Sequence, residues 1–334
     1  MHFRKPDQVP VQFLCTPAGF YEHGEKLNDL YAELEGDFAP LKRMEVPVLP
    51  ASDFDSEGNY HAFKRDEWGT LWEFRIFGIA GIPCEYPLAD ASGIASYKTP
   101  RLPLFPENIP ENRSKALSAR DDTYYHLDSW GSLYERLIAL RPEADVLCDI
   151  ISEEPYIHEL ADKIVEYDSA LIKKAIAEGA DGITFGDDYG TERGLIMSPE
   201  LWRSFFYPRL DSLFKPAREA GLDIHFHSCG FIWDLLPYFA ELGVTSVWLQ
   251  LPAYDMPKLA ARCRELGLAI AIHTDRARTM TYGTPQEVRE LVLREYEIFK
   301  LYDGGGWFYI ETDNGFPWAN IEALVRTIKE LIHG

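Results

Sequence analysis

No stretch of the 334-residue chain approaches the roughly 18 consecutive apolar residues of a membrane span. The opening residues, MHFRKPDQVPVQF, lack the apolar core of a secretory signal. Positive charge is scarce: 33 basic against 54 acidic residues leave a formal charge of −21. Such a balance repels polynucleotides and anionic lipid, and no basic cluster offsets it, so neither nucleic acid nor membrane is expected as a partner. No Gly-x-Gly-x-x-Gly follows an apolar run, which removes the support for a dinucleotide-binding fold. Cysteine is sparse and odd in number. Cys15, Cys84, Cys148, Cys229 and Cys263 form no Cys-x-x-Cys pair, a pattern of reduced thiols that fits a cytoplasmic protein.

What is present is an alternation of short apolar runs and helical periods, clearest beyond residue 180. DGITFG (181–186), Leu222 to Phe226, VTSVWL (244–249), LGLAIAIH (266–273) and WFYIE (307–311) read as strands. Helical segments separate them: from Ser198, through Leu242, near 255–266, from Thr284 to Leu301, and from Asn320 to Ile332. Five strand–helix units predict a parallel sheet, and nearly all-apolar strands predict one covered on both faces. We read the chain as one α/β domain over 1–334, a (β/α)8 TIM barrel with an N-terminal elaboration. Its first strands are expected near 9–15 and 44–49, with a further strand in TYYHL (123–127) and a long helix over 154–179. Residues 41–105, rich in aromatics, Gly and Pro, are expected to hold an antiparallel β insertion.

The segment HFHSCG (225–230) concentrates the chemistry. Alternate residues of a strand share a face, so His225, His227 and Cys229 are expected together at a strand end, where barrel enzymes build their sites. Core histidines and a buried thiol are the bland alternative. Catalytic zinc takes three protein ligands and keeps one position open. His227 and Cys229 supply two; with no cysteine after Cys263, the third falls to Glu311, with Asp313 next. In GDDYG (186–190), Asp187 or Asp188 is a candidate acid–base group, or else a loop cap. His273 and Asp275 share parity at the next strand end, and Arg276 and Arg278 lie just beyond, fit for a carboxylate or a surface ion pair. Trp307, Phe308, Tyr309, Phe316 and Trp318 either line a pocket for a flat molecule or belong to the core.

Taken together, DGITFGDDYGTERGLIMSPELWRSFFYPRL and DIHFHSCGFIWDLLPYFAELGV resemble the C-terminal half of the uroporphyrinogen decarboxylase superfamily. GDD-G, MSPELW–P and H-x-C-G, with EWGTLWE (67–73) and EYPLAD (85–90), resemble its corrinoid-dependent methyltransferase branch. The resemblance implies a (β/α)8 barrel and transfer of a methyl group between a corrinoid (cobalamin) protein and a thiol or tetrahydrofolate. It implies Zn2+ held by His227 and Cys229. The later cysteine of thiol-dependent members is absent, since this chain reads YIETDNGFPW there. Glu311 would then substitute, and tetrahydrofolate gains as acceptor. Asp187, Asp188, His225 and His273 are the expected catalytic groups, and Asp275, Arg276, Trp307 and Asp313 the expected substrate contacts. The chain carries no cobalamin-binding signature, so a separate corrinoid protein is the expected partner, with a homodimer possible. The alternative is a metal-free decarboxylase of uroporphyrinogen or a related carboxylated substrate, and a non-catalytic tetrapyrrole carrier is a third reading.

Overall fold

The computed structural model describes residues 3–33, 43–102, 111, 124 and 126–333. It opens with β1 (Val11–Cys15), α1 (Pro17–His23) and α2 (Glu25–Ala32). An antiparallel hairpin sheet follows: β2 (Ala62–Arg65), β3 (Leu71–Phe74) and β4 (Ile82–Glu85). Then come β5 (His126–Gly131), α3 (Tyr134–Leu140), α4 (Glu143–Ile151) and α5 (Pro155–Glu178). The remainder alternates regularly: β6 (Gly182–Gly186), α6 (Pro199–Phe205), α7 (Tyr207–Ala220), β7 (Asp223–Ser228), α8 (Leu236–Glu241), β8 (Ser246–Leu249), α9 (Met256–Leu266), β9 (Ala269–His273), α10 (Pro285–Phe299), β10 (Gly306–Thr312) and α11 (Trp318–His333).

Seven strands form one parallel, curled sheet in the order β1-β10-β9-β8-β7-β6-β5. The order descends through consecutive strands because each crossover helix returns the chain to the neighbouring position. Helix starts are set by local chemistry. Ser198 accepts from the Leu201 N–H, with Pro199 in the first turn, and Thr284 closes a capping box with Glu287. Among the described residues no helix is long and apolar enough to cross a membrane.

Three expectations change. Residues 44–49 form no strand; Val48 is 94% exposed there, and Pro47 and Pro50 have no N–H to give a ladder. Within TYYHL, Thr123 and Tyr125 lie outside the described residues, and the strand starts at His126. The expected helix ending at Leu242 shrinks to α8, because the loop after β7 is mostly irregular up to Trp233. The antiparallel insertion falls inside 41–105 as expected.

Strand alternation divides the core. Outward-facing Ile270, Ile272, Phe308 and Ile310 join the helices in the main core. The inward face carries a separate group, Ala269, Ala271, Trp307 and Tyr309, with Trp248 against it. Small alanines opposite large rings leave space inside the curled sheet rather than filling it.

One buried acid predicts a pH effect. Glu295 on α10 is 1% exposed, and burial pushes its carboxyl up to about 8, with Thr274 Oγ1 donating to it at 3.3 Å. The folded chain therefore holds a proton that the unfolded chain has released. Stability falls as pH rises from the ordinary carboxylate range to about 8, by at most about 1.4 kcal/mol per pH unit. Glu295→Gln should flatten this fall between pH 6.5 and 8 in thermal melts. An undiminished fall in the variant would refute the assignment.

Candidate active site

The C-terminal ends of β6 and β7 bring three donor side chains together. One ligand atom each from Asp188, His227 and Cys229 lie within 4.8 Å of one another. His227 Nε2 is 3.4 Å from Cys229 Sγ and 3.6 Å from Asp188 Oδ1, and the Cys229 N–H donates to Asp188 Oδ1 at 2.7 Å. The other imidazole nitrogen fixes the tautomer: Nδ1–H donates to the Trp248 carbonyl at 3.1 Å, so the lone pair on Nε2 points at the other two donors. Burial holds the ring down to about 4, hence neutral, and burial followed by the Asp188 charge pushes the Cys229 thiol up to about 12. These residues fit a divalent metal. A neutral imidazole, a carboxylate and a thiol that a cation would deprotonate balance two positive charges with oxygen, nitrogen and sulfur donors suited to zinc.

The two loops that carry these donors are locked together. Gly230 has φ +74° and lies so close to the Gly190 carbonyl that no side chain fits, and the Phe231 N–H donates to the Thr191 carbonyl at 2.7 Å. Trp130 closes one side, its ring 5.4 Å from that of His227. A bulge in β5 aims it there: Leu127 pairs with Ile183 but Gly131 with Phe185, and Trp130 takes φ +44° between them. Gly131 must be glycine, because a methyl group there would overlap the Phe185 ring.

Glu311 does not join the donor cluster. Its Oε2 lies 2.6 Å from His273 Nε2 and 3.7 Å from Arg276 Nη1, while Arg276 Nη2 holds Asp313 Oδ2 at 3.0 Å. Burial works to raise the Glu311 carboxyl, but the His273 hydrogen bond and charge outweigh it and lower the pKa. Among the described residues the carboxylate that meets His227 and Cys229 is that of Asp188, because the loop after β6 folds over the end of β7 while β10 lies three strands away. Asp313 is buried and raised, first by burial and then by Glu311.

Asp187 turns away from the site. Its carboxylate accepts from the N–H groups of Leu133 (2.9 Å) and Glu135 (2.8 Å) at the start of α3 and from the Tyr189 hydroxyl (2.8 Å), although burial still pushes it up to about 6. These bonds tie Asp187 to the start of a helix earlier in the chain, not to the helix that follows it. Asp275 likewise caps the turn after β9, accepting from Arg278 N–H, Thr279 N–H and Thr279 Oγ1. His225 shares its face with His227 but sits one layer deeper, apart from Cys229. It contacts Ser246 Oγ through Nδ1 and the Tyr124 hydroxyl through Nε2 at 3.2 Å, and burial keeps it neutral.

Below the donor cluster lies a cavity of about 290 Å3, reached by Trp130, His126, Thr184, His225, His227, Trp248, Trp307 and Tyr309. Trp307 is 3% exposed and anchors its indole N–H on Gln12 at 2.9 Å. Phe308 faces outward into the main core, since odd positions of β10 face inward and even ones outward, while Phe316 and Trp318 pack against that core from beyond the strand. Trp130, Trp248 and His126 were not singled out in the sequence. Trp248 and His126 lie on strands, where parity beside His227 and His225 gives the signal. For Trp130 the bulge breaks parity, and no sequence signal exists.

A parallel, curled α/β sheet with donor-bearing loops at its C-terminal edge defines a fold of the TIM-barrel-like class. The chain belongs to the uroporphyrinogen decarboxylase (URO-D) family, whose model matches residues 142–331. Among solved structures, a methyltransferase from Methanosarcina mazei superposes with a TM-score of 0.63 at 16% identity, covering 97% of this chain and 94% of that one. A dihydropteroate synthase from Anaplasma phagocytophilum reaches 0.37 at 16% identity, over 50% of this chain and 67% of its own. No curated protein matches the chain significantly.

Proposed function

We propose that the protein is a zinc-assisted methyltransferase that moves a methyl group between a corrinoid (cobalamin) bound to a separate protein and a small acceptor, a thiol or tetrahydrofolate. The observation that carries the reading is the Asp188–His227–Cys229 cluster at the mouth of the sheet, in a chain of this family. His227 and Cys229, with Asp188 in place of Glu311, would hold the metal. When bound, it would supply Lewis acidity that keeps an acceptor heteroatom anionic at neutral pH. Trp130 and Trp248 would exclude water beside His227. The His273–Glu311 pair sits within reach of the same mouth to hold or pass a proton. With this reading go closure of the sheet as an eight-stranded barrel, a single domain over 1–334, a cytoplasmic location and, in the assembled state, a homodimer.

The family match also favours a second reading, metal-free decarboxylation of a carboxylated tetrapyrrole. Against it, no lysine or arginine lines the cavity among the described residues, where several carboxylate arms would need partners. Metal analysis of the purified chain separates the two. Near one zinc per chain, with methyl transfer from a methylated corrinoid protein to thiol or tetrahydrofolate, is the expected result. A metal-free chain that releases carbon dioxide from a porphyrinogen would establish the alternative.

A further inference from the structure

The cavity beside His227 has an unusual wall for a metal-adjacent site. Trp248 and Tyr309 pack at 4.6 Å between centroids, Trp307 closes the floor against the His225 ring at 5.5 Å, and Trp130 stands at the entrance, 45% exposed. Between them lie Ala271 and the hydroxyl of Thr184, which meets His126 Nε2 at 2.5 Å. The lining holds no lysine or arginine among the described residues, and its single carboxylate, Glu311, is already held by His273. Burial keeps His126 neutral, down to about 4.

We infer that this cavity is a binding site for an uncharged, one-ring aromatic molecule, seated between Trp248, Trp307 and Tyr309 with its substituted edge toward His227. Size and polarity carry the inference. An apolar protein cavity of roughly 150 Å3 already admits benzene, and drug-sized ligands take about 300 Å3 or more. At about 290 Å3 the space suits a substituted single ring and is too narrow for four linked pyrroles. A charged ligand would enter a largely apolar wall whose one carboxylate, Glu311, already faces His273 and Arg276. Faces and edges of several aromatic side chains, in contrast, offer offset and edge-to-face contacts to a flat ring. Aromatic walls also attract quaternary ammonium ions, but those sites enclose the cation, whereas here Trp248 and Tyr309 pack against each other.

The inference does not rest on the methyltransferase reading, because occupancy is read without turnover. The test titrates the full-length, metal-replete protein with phenol and anisole, followed by tryptophan fluorescence and calorimetry, beside choline, 2-mercaptoethanol and tetrahydrofolate. Saturable one-site binding of phenol or anisole is expected, at least tenfold tighter than choline. Trp307→Leu should weaken it roughly tenfold, and Trp307→Phe, which keeps a ring, by no more than about threefold. Should Trp307→Leu not fold, Trp130→Ala at the entrance replaces it, with a loss in the same direction. Tighter binding of choline, or displacement only by the thiol or the folate, would overturn the inference. On the same preparation, zinc content and methyl transfer to thiol or folate report on the proposed function separately. Their presence without phenol binding sinks the aromatic site alone, and phenol binding without zinc or transfer sinks the methyltransferase reading alone.

Discussion

A His227→Ala, Cys229→Ser double variant is expected to lose its zinc, from about one per chain to less than a tenth, and its methyl transfer by about a thousandfold. The double change removes two of the three donor atoms and leaves Asp188 alone, on a side chain already held by the Cys229 N–H. A thousandfold corresponds to about 4 kcal/mol of barrier, the size expected when a Lewis acid is withdrawn from the reacting atom. Asp188→Asn should give a milder version, since an amide oxygen still ligates but carries no charge. Element analysis and a corrinoid demethylation assay decide the matter. Transfer that survives the double change at wild-type rate, with or without metal, would rule out a catalytic role for the cluster.

Asp187→Ala should cost stability rather than chemistry, about 3–5 kcal/mol, the penalty typical of breaking a buried, hydrogen-bonded charged group. The loss strands two amide donors at the start of α3 and the hydroxyl of Tyr189, which is fully buried. For a chain of this size a drop in Tm of roughly 10 °C follows, at about 2–4 °C per kcal/mol. Asp187→Asn keeps the shape and one acceptor, and should lose about half as much. Metal content should survive in both. A melting point within 2 °C of wild type would show that the start of α3 does not depend on this carboxylate.

The contrast between neighbouring Asp187 and Asp188 marks where sequence reading stops. GDDYG at a strand end points to a site, but only the fold tells which of the two aspartates meets His227. The C-terminal half was legible because its strands are covered on both faces and therefore uniformly apolar, with Gly179, Gly221 and Gly267 ending helices in the left-handed conformation. The first half was not. Its hairpin sheet has partly exposed strands, and VPVLP imitates a strand that its prolines cannot build. His227 and Cys229 were legible from spacing alone, since one turn of backbone beyond a strand suffices to bring them together. That Asp188, not Glu311, stands beside them depends on which loop folds over which strand end, a long-range fact absent from local pattern. Tyr124, whose hydroxyl donates to Asp223 at 2.9 Å and meets His225, lies in the same ill-patterned region and escaped notice.

The interlocked loops after β6 and β7 carry a lesson for protein engineering. Because Gly190 and Gly230 touch backbone to backbone, the segments bearing Asp188 and Cys229 behave as one cassette. A side chain placed at either glycine would meet the backbone of the other loop where only hydrogen fits. A redesign of one loop must therefore keep its glycine or rebuild both loops together.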